Sequence, residues 1–172
     1  FRSSIWLWPL GALSSAIYII VYFSNKFYAD MGLQVYYLAI SVYGFAAWAL
    51  HKSAHGIELP IVKTNTKQWL IILLSCAALW ALLYWLLSSL TDSPIPYGDS
   101  FTTALAIVAT FMLTRKMIEQ WLIFIIADAT SVVLYATRGM QLTALLYIIY
   151  TIFAIVGYLE WRQKLLNRQT VQ

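Results

Sequence analysis

Long apolar runs separated by short polar stretches dominate the chain. Six of them approach the roughly 20 residues that a helix needs to cross a bilayer. They cover residues 5–23, 31–50, 69–90, 101–113, 118–137 and 142–161. The fourth reaches that length only if 97–114 is counted. No stretch alternates apolar and polar residues, and in lipid only a closed barrel could satisfy the backbone of a strand. The pattern therefore predicts an all-α, polytopic membrane bundle with six helices in this chain. Two polar connections stand out, 50–66 and 91–100, the second holding two acids and two prolines.

The runs also repeat. At an offset of 113 residues, with no gap, Trp8 falls on Trp121, Ala16 on Ala129, Tyr22 on Tyr135, Leu33 on Leu146, Tyr37 on Tyr150, Gly44 on Gly157 and Trp48 on Trp161. Five of these seven identities are Trp, Tyr or Gly, which lifts the match above what a Leu- and Ile-rich composition yields by chance. Repeated hydrophobic modules are a mark of transporters built from two halves. Runs one and two match runs five and six, four helices apart, so the copies point the same way through the membrane. The expected organisation is 1–68 as the first repeat with its inner loop, 69–96 as a linker helix and outer loop, 97–166 as a second repeat of three helices, and 167–172 as a cytoplasmic tail. Run four has no counterpart in the first repeat. The expectation is a 3+1+3 parallel-repeat protein whose first helix would lie upstream of Phe1.

Composition agrees: 62% of residues are hydrophobic and 10% charged, against roughly 25% charged in a soluble domain. Arg2, Lys52, Lys63, Lys67, Arg115, Lys116, Arg162, Lys164 and Arg168 fall on one side of the six-span topology, and only Lys26 and Arg138 on the other. The positive-inside rule then places the C-terminus of a multi-pass membrane protein in the cytoplasm. The basic excess needs no nucleic acid. Cys76 is a single thiol within a span, and His51 and His55 read as solvated loop residues, so no metal site, disulfide or cofactor is expected.

The candidate chemistry lies in the fifth run. Trp121, Phe124, Asp128 and Tyr135 fall within a stripe about 60° wide on one helix face. A carboxylate at mid-span costs about 2.5–3.5 kcal/mol on the lenient insertion scale, so Asp128 must face protein or water. Aromatic faces and a carboxylate together attract a planar ring carrying positive charge. Pairing of Asp128 with a neighbouring helix is the structural alternative. Tyr147 and Tyr150 share a face of the sixth run, and Gln34, Tyr37 and Ser41 a face of the second. These polar groups suit hydrogen bonds to a hydroxyl or to another helix. Trp8 and Ser15 occupy the matching face of the first run, with Gly11 where Phe124 stands and Ser15 where Asp128 stands. No phosphate-binding loop and no relay of buried acids and bases supplies an energy source, which favours facilitated diffusion.

The stretch EQWLIFIIADATSVVLYATRGMQLTALLYIIYTIFAIVGYLEWRQKLL (119–166) resembles the C-terminal half of the PnuC family of vitamin transporters, and GLQVYYLAISVYGFAAW (32–48) the matching part of its first half. The resemblance implies seven helices in a 3+1+3 arrangement related to the SWEET sugar transporters, a homotrimer in the lipid bilayer of the bacterial inner (plasma) membrane, and uptake of nicotinamide riboside trapped by a cytosolic kinase. The family motif WxxWxxxN maps to Trp121, Phe124 and Asp128, with two departures. SIWLWPLGALSSAIYIIVYF and YADMGLQVYYL are similar to the thiamine-carrying PnuT branch. A small-molecule vitamin, thiamine or nicotinamide riboside, is the expected substrate. A SWEET-like transporter of neutral sugar, an integral membrane enzyme and a scaffold are the alternatives. An enzyme would require paired acids or histidines near an interface, which the spans lack.

Overall fold

In a computed structural model the chain forms six α-helices: α1 (Leu7–Ser24), α2 (Tyr28–His55), α3 (Thr66–Leu90), α4 (Pro96–Thr114), α5 (Gln120–Thr137) and α6 (Gln141–Gln169). The structure describes residues 5–24, 28–90 and 95–169, without the side chains at 7, 21–23, 28–31 and 169. Tyr22, Arg2, Lys26 and residues 91–94 of the 91–100 connection therefore lie outside the described side chains. Among the described residues no strand occurs, only an isolated bridge between Val62 and Met117. Four helical stretches are long and apolar enough to cross a membrane, Gly32–His55, Thr66–Leu90, Gln120–Thr137 and Gln141–Arg168. The apolar part of α1, Trp8–Ile20, is shorter. The fold is the all-α membrane bundle that the hydrophobic runs predict.

The helix ends differ from the expected ones where polar residues continue a helix. His51 and His55 are helical, not loop, because nothing breaks α2 before Gly56. Gly56 takes φ 68°, and its N–H donates to the Lys52 carbonyl at 2.9 Å, a left-handed helix stop. Lys52 and His55 lie in the last turn, where positive charge meets the negative end of the helix dipole. The His rings stack with centroids 4.4 Å apart. α4 begins at Pro96, a residue pre-set for the first helical position, so the longer extent is the right one. α3 opens with a reciprocal cap: Gln68 N–H donates to Asn65 Oδ1, and Asn65 N–H to Gln68 Oε1. α5 ends in a Schellman motif at Gly139 (φ 74°), with Met140 N–H on the Tyr135 carbonyl and Gly139 N–H on that of Ala136. α6 runs to Gln169 because no breaker follows Trp161, so Arg162, Lys164 and Arg168 are helical.

The chain divides into two compact units. The first holds Phe1–Pro60 with Thr114–Lys116, and the second Ile61–Leu113 with Met117–Gln172. In the first, α1 and α2 form a hairpin closed by an indole lying on a glycine. Trp8 meets Trp48 edge to face, with ring centroids 5.3 Å apart and planes at 89°. A Cβ on Gly44 would sit 2.6 Å from the Trp8 ring. Trp48 Nε1 donates to the Thr114 carbonyl at 3.0 Å. Lys116, buried and turned by a φ of 49°, places Nζ 4.3 Å from the Trp48 ring centroid and 3.8 Å from Glu58.

The second unit builds a core from Ile72 of α3, Val108, Ala109 and Met112 of α4, Met117, and Ile123 of α5. Cys76 packs against this cluster. The α5–α6 hairpin then repeats the joint of the first unit. Trp121 meets Trp161 edge to face at 5.5 Å and 89°, and a Cβ on Gly157 would lie 2.8 Å from the Trp121 ring. The offset of 113 residues thus corresponds to one packing device used twice, and its glycines exist for close approach. A rigid indole cannot yield as a flexible side chain can. Gly44→Ala and Gly157→Ala should each destabilise the detergent-solubilised protein by about 1–3 kcal/mol in thermal unfolding. Gly32→Ala, where no atom lies within 4 Å of the added carbon, should not destabilise it.

Candidate substrate site

Asp128 sits halfway along α5 and is partly buried. Among the described residues its carboxylate makes no hydrogen bond and no ion pair. The other described acids are engaged. Glu58 faces Lys116, Asp99 pairs with Arg138, and Glu119 holds Thr64. Glu160 also has a partner. The expected alternative, that Asp128 braces a neighbouring helix through a polar group, has no counterpart among the described side chains.

Around the same face, Trp121 and Phe124 have ring centroids 6.4 Å apart at 53°. Phe124 rests partly against the core cluster, and Trp121 against Gly157 and Trp161. Ala127 and Ser131 flank Asp128 on the buried side, with Ser131 Oγ donating to the Ala127 carbonyl at 2.9 Å. Towards the far end of α5, Tyr135 stacks on Tyr147 at 5.3 Å and 13°, and Tyr147 meets Tyr150 edge to face at 5.7 Å. Tyr150 is exposed. The Arg138 guanidinium lies 5.8 Å from the Tyr135 ring centroid and pairs with Asp99 at 3.3 Å. The structure therefore gathers Tyr135 with Tyr147 and Tyr150 into one aromatic group.

The near end of α5 is fixed by a strap. Ile118 N–H donates to the Val62 carbonyl at 3.0 Å, and the Glu119 carboxylate accepts from Thr64 N–H at 3.0 Å and from Thr64 Oγ1 at 2.7 Å. Beside this strap Gln120 is 0% exposed, and neither its Oε1 nor its Nε2 has a partner among the described residues. The Nε1 of Trp121 is likewise buried and unpaired. An unsatisfied buried polar group costs about 1–3 kcal/mol. Periodicity marked Trp121 but passed over Gln120, whose burial depends on tertiary packing that no sequence pattern carries.

In the first unit Trp8, Ser15 and Ser41 are buried, and a Cβ on Gly11 would stand 3.2 Å from Ser41 Oγ. Trp8 Nε1 is buried without a partner, as in the second copy. Gln34 and Tyr37 are half-buried, and Tyr37 lies against Tyr36 with centroids 5.7 Å apart. The first five candidates (Trp8, Ser15, Gln34, Tyr37, Ser41) belong to one unit, and Trp121, Phe124, Asp128, Tyr147 and Tyr150 to the other.

A profile of the family described as "Nicotinamide mononucleotide transporter" matches residues 1–163. The chain belongs to the nicotinamide mononucleotide transporter family. The nicotinamide riboside transporter PnuC of Escherichia coli (strain K12) is 28% identical over 175 residues, covering 88% of this chain and 73% of that protein. The riboflavin/roseoflavin transporter RibM of Streptomyces davaonensis is 26% identical over 165 residues, covering 94% of this chain and 76% of RibM. A crystal structure of the vitamin B3 transporter PnuC shares the fold, with a TM-score of 0.71 at 24% identity over 97% of this chain and 75% of that one. The likeness to PnuC read from the 119–166 and 32–48 stretches is thus borne out. This member of the nicotinamide mononucleotide transporter family is a multi-pass membrane transporter of a small molecule and not an enzyme.

Proposed function

We propose that the chain carries a planar, cationic heteroaromatic vitamin, thiamine or nicotinamide riboside, into the cytosol by facilitated diffusion. The observation that carries this reading is the mid-helix carboxylate of Asp128, the one described acid without a partner, on the aromatic face of α5. A buried negative charge is stabilised by a positive ligand and gains little from a neutral sugar. Trp121 and Phe124 would offer ring faces, with Asp128 balancing the ring's charge or accepting from its amino group. Tyr147 and Tyr150 would line the site from α6. Within their own unit, Gln34, Tyr37, Ser41, Trp8 and Ser15 would offer hydroxyl, amide and indole groups to a solute. The names of the PnuC relatives support nicotinamide riboside, whereas Asp128 in place of a motif Asn supports a ligand with an exocyclic amine, as in thiamine. A separate cytosolic kinase would trap the product.

Titration calorimetry of purified protein with thiamine, nicotinamide riboside and neutral riboflavin tests the reading. Asp128→Asn should weaken the preferred cation by about tenfold or more, the equivalent of about 1.4 kcal/mol, and leave any riboflavin affinity unchanged. Unaltered affinity for both cations would remove the role given to Asp128.

The charge distribution supports a cytoplasmic C-terminus. In a Cys76→Ser background, Arg168→Cys should react with an impermeant maleimide in inside-out vesicles only, and Met140→Cys in intact cells only. The reverse pattern inverts the topology. The family resemblance supports a homotrimer, for which light scattering in detergent should return three chains per particle, and a monomer would refute it.

A further inference from the structure

We infer that Gln120 is a specificity-determining residue of the transport site, selecting ligands that carry a hydrogen-bond donor and an acceptor side by side on one planar edge. This role rests on the vitamin reading above. Gln120 is completely buried, and both ends of its carboxamide are unpaired among the described residues. Its backbone N–H is already spent on the Met117 carbonyl at 3.3 Å, so the free capacity lies in the side chain alone. Lipid offers no hydrogen bonds to compensate such a group. Its partner must be a polar solute or water admitted to the protein interior.

The position fits a ligand contact. Gln120 lies about 40° around α5 from Phe124 and about 12 Å along the axis from Asp128, at 1.5 Å per residue. Trp121, whose Nε1 is also unpaired, follows it directly. A ring held at Trp121 and Phe124 would thus have Asp128 towards one end and Gln120 towards the other. The strap through Glu119 and Thr64 fixes the backbone next to it, so the amide is carried by a rigid element.

The chemistry narrows the ligand class. A carboxamide presents C=O and N–H₂ in one plane, and a half-turn of the group exchanges them. It therefore serves an edge bearing donor and acceptor in either order. The carboxamide of a nicotinamide ring has such an edge, as does an aminopyrimidine with its amine beside a ring nitrogen. A ring carboxylate offers two acceptors and no donor, so one of its oxygens would face the Gln120 carbonyl.

The test uses the full chain in detergent and two ligand pairs: nicotinamide riboside against nicotinic acid riboside, and thiamine against an analogue with hydrogen in place of the ring amine. The wild-type protein should bind the edge-bearing member of its preferred pair about tenfold or more tightly than its counterpart. Gln120→Met, close in volume and apolar, should erase that preference while thermal stability without ligand holds or rises. Gln120→Asn keeps the amide but withdraws it by one methylene, and should reduce the preference without abolishing it. Wild-type affinity and preference in both variants would overturn the assignment and leave Gln120 as a site of bound water. Failure of the wild-type protein to bind any of the four ligands would instead remove the vitamin reading on which the assignment stands.

Discussion

A bilayer supplies no hydrogen bonds, so every polar group within it must find a partner in the protein or serve a solute. The described side chains largely obey this constraint. Thr102, Thr110, Thr130, Thr137 and Thr151 return their hydroxyl protons to carbonyls one turn back, as Ser131 does. Trp48 donates to a backbone carbonyl, and Trp80 Nε1 donates to that of Tyr97. Trp8 Nε1 and His51 Nε2 are buried without a partner, and on α5 such groups gather at neighbouring positions. Asp128, both amide atoms of Gln120 and the indole N–H of Trp121 all fall on or beside one face of a single helix.

The duplicated joint explains how that face is held. In each hairpin an indole lies on a glycine and meets a second indole at right angles. Such contacts fix the crossing of two helices through shape, which in lipid must replace the hydrophobic drive of water. With the frame fixed by Trp and Gly, the intervening positions are free to diverge. Gly11 stands against Phe124, Ser15 against Asp128 and Ser41 against Ala154 in the two copies. One hairpin brings small residues and hydroxyls, the other an acid and a ring.

Hydropathy made the helices legible, and aromatic landmarks made the repeat legible, because both depend on local composition in register. Trp8 over Gly44 and Trp121 over Gly157 were readable as identities at a fixed offset before any contact was known. Helix ends were less readable. His51, His55, Arg162 and Lys164 look like loop by polarity, yet a helix may leave the membrane and continue until a residue such as Gly56 stops it. Polarity reports the solvent, not the backbone. Gln120 was invisible for a different reason: a polar residue at the mouth of a span reads as interfacial. Only its complete burial in the folded chain shows that it is enclosed.

Acids offer the sharpest contrast within one unit. Asp99 begins α4, where the helix dipole already favours negative charge, and it has Arg138 at 3.3 Å. Glu119 accepts from a backbone and a hydroxyl donor of Thr64. Each of these carboxylates is compensated by the fold itself. Asp128 lies a full two turns from either helix end, too far for a terminal dipole to help, and no described donor reaches it. Its insertion costs about 2.5–3.5 kcal/mol even by the lenient scale. The fold provides partners for Asp99 and Glu119 and none among the described residues for Asp128, and under the proposed function that charge is left for a solute. A cation reaching it recovers part of that cost only while it is bound, which is how a carrier can gain selectivity for positive solutes without permanent stabilisation of the empty protein.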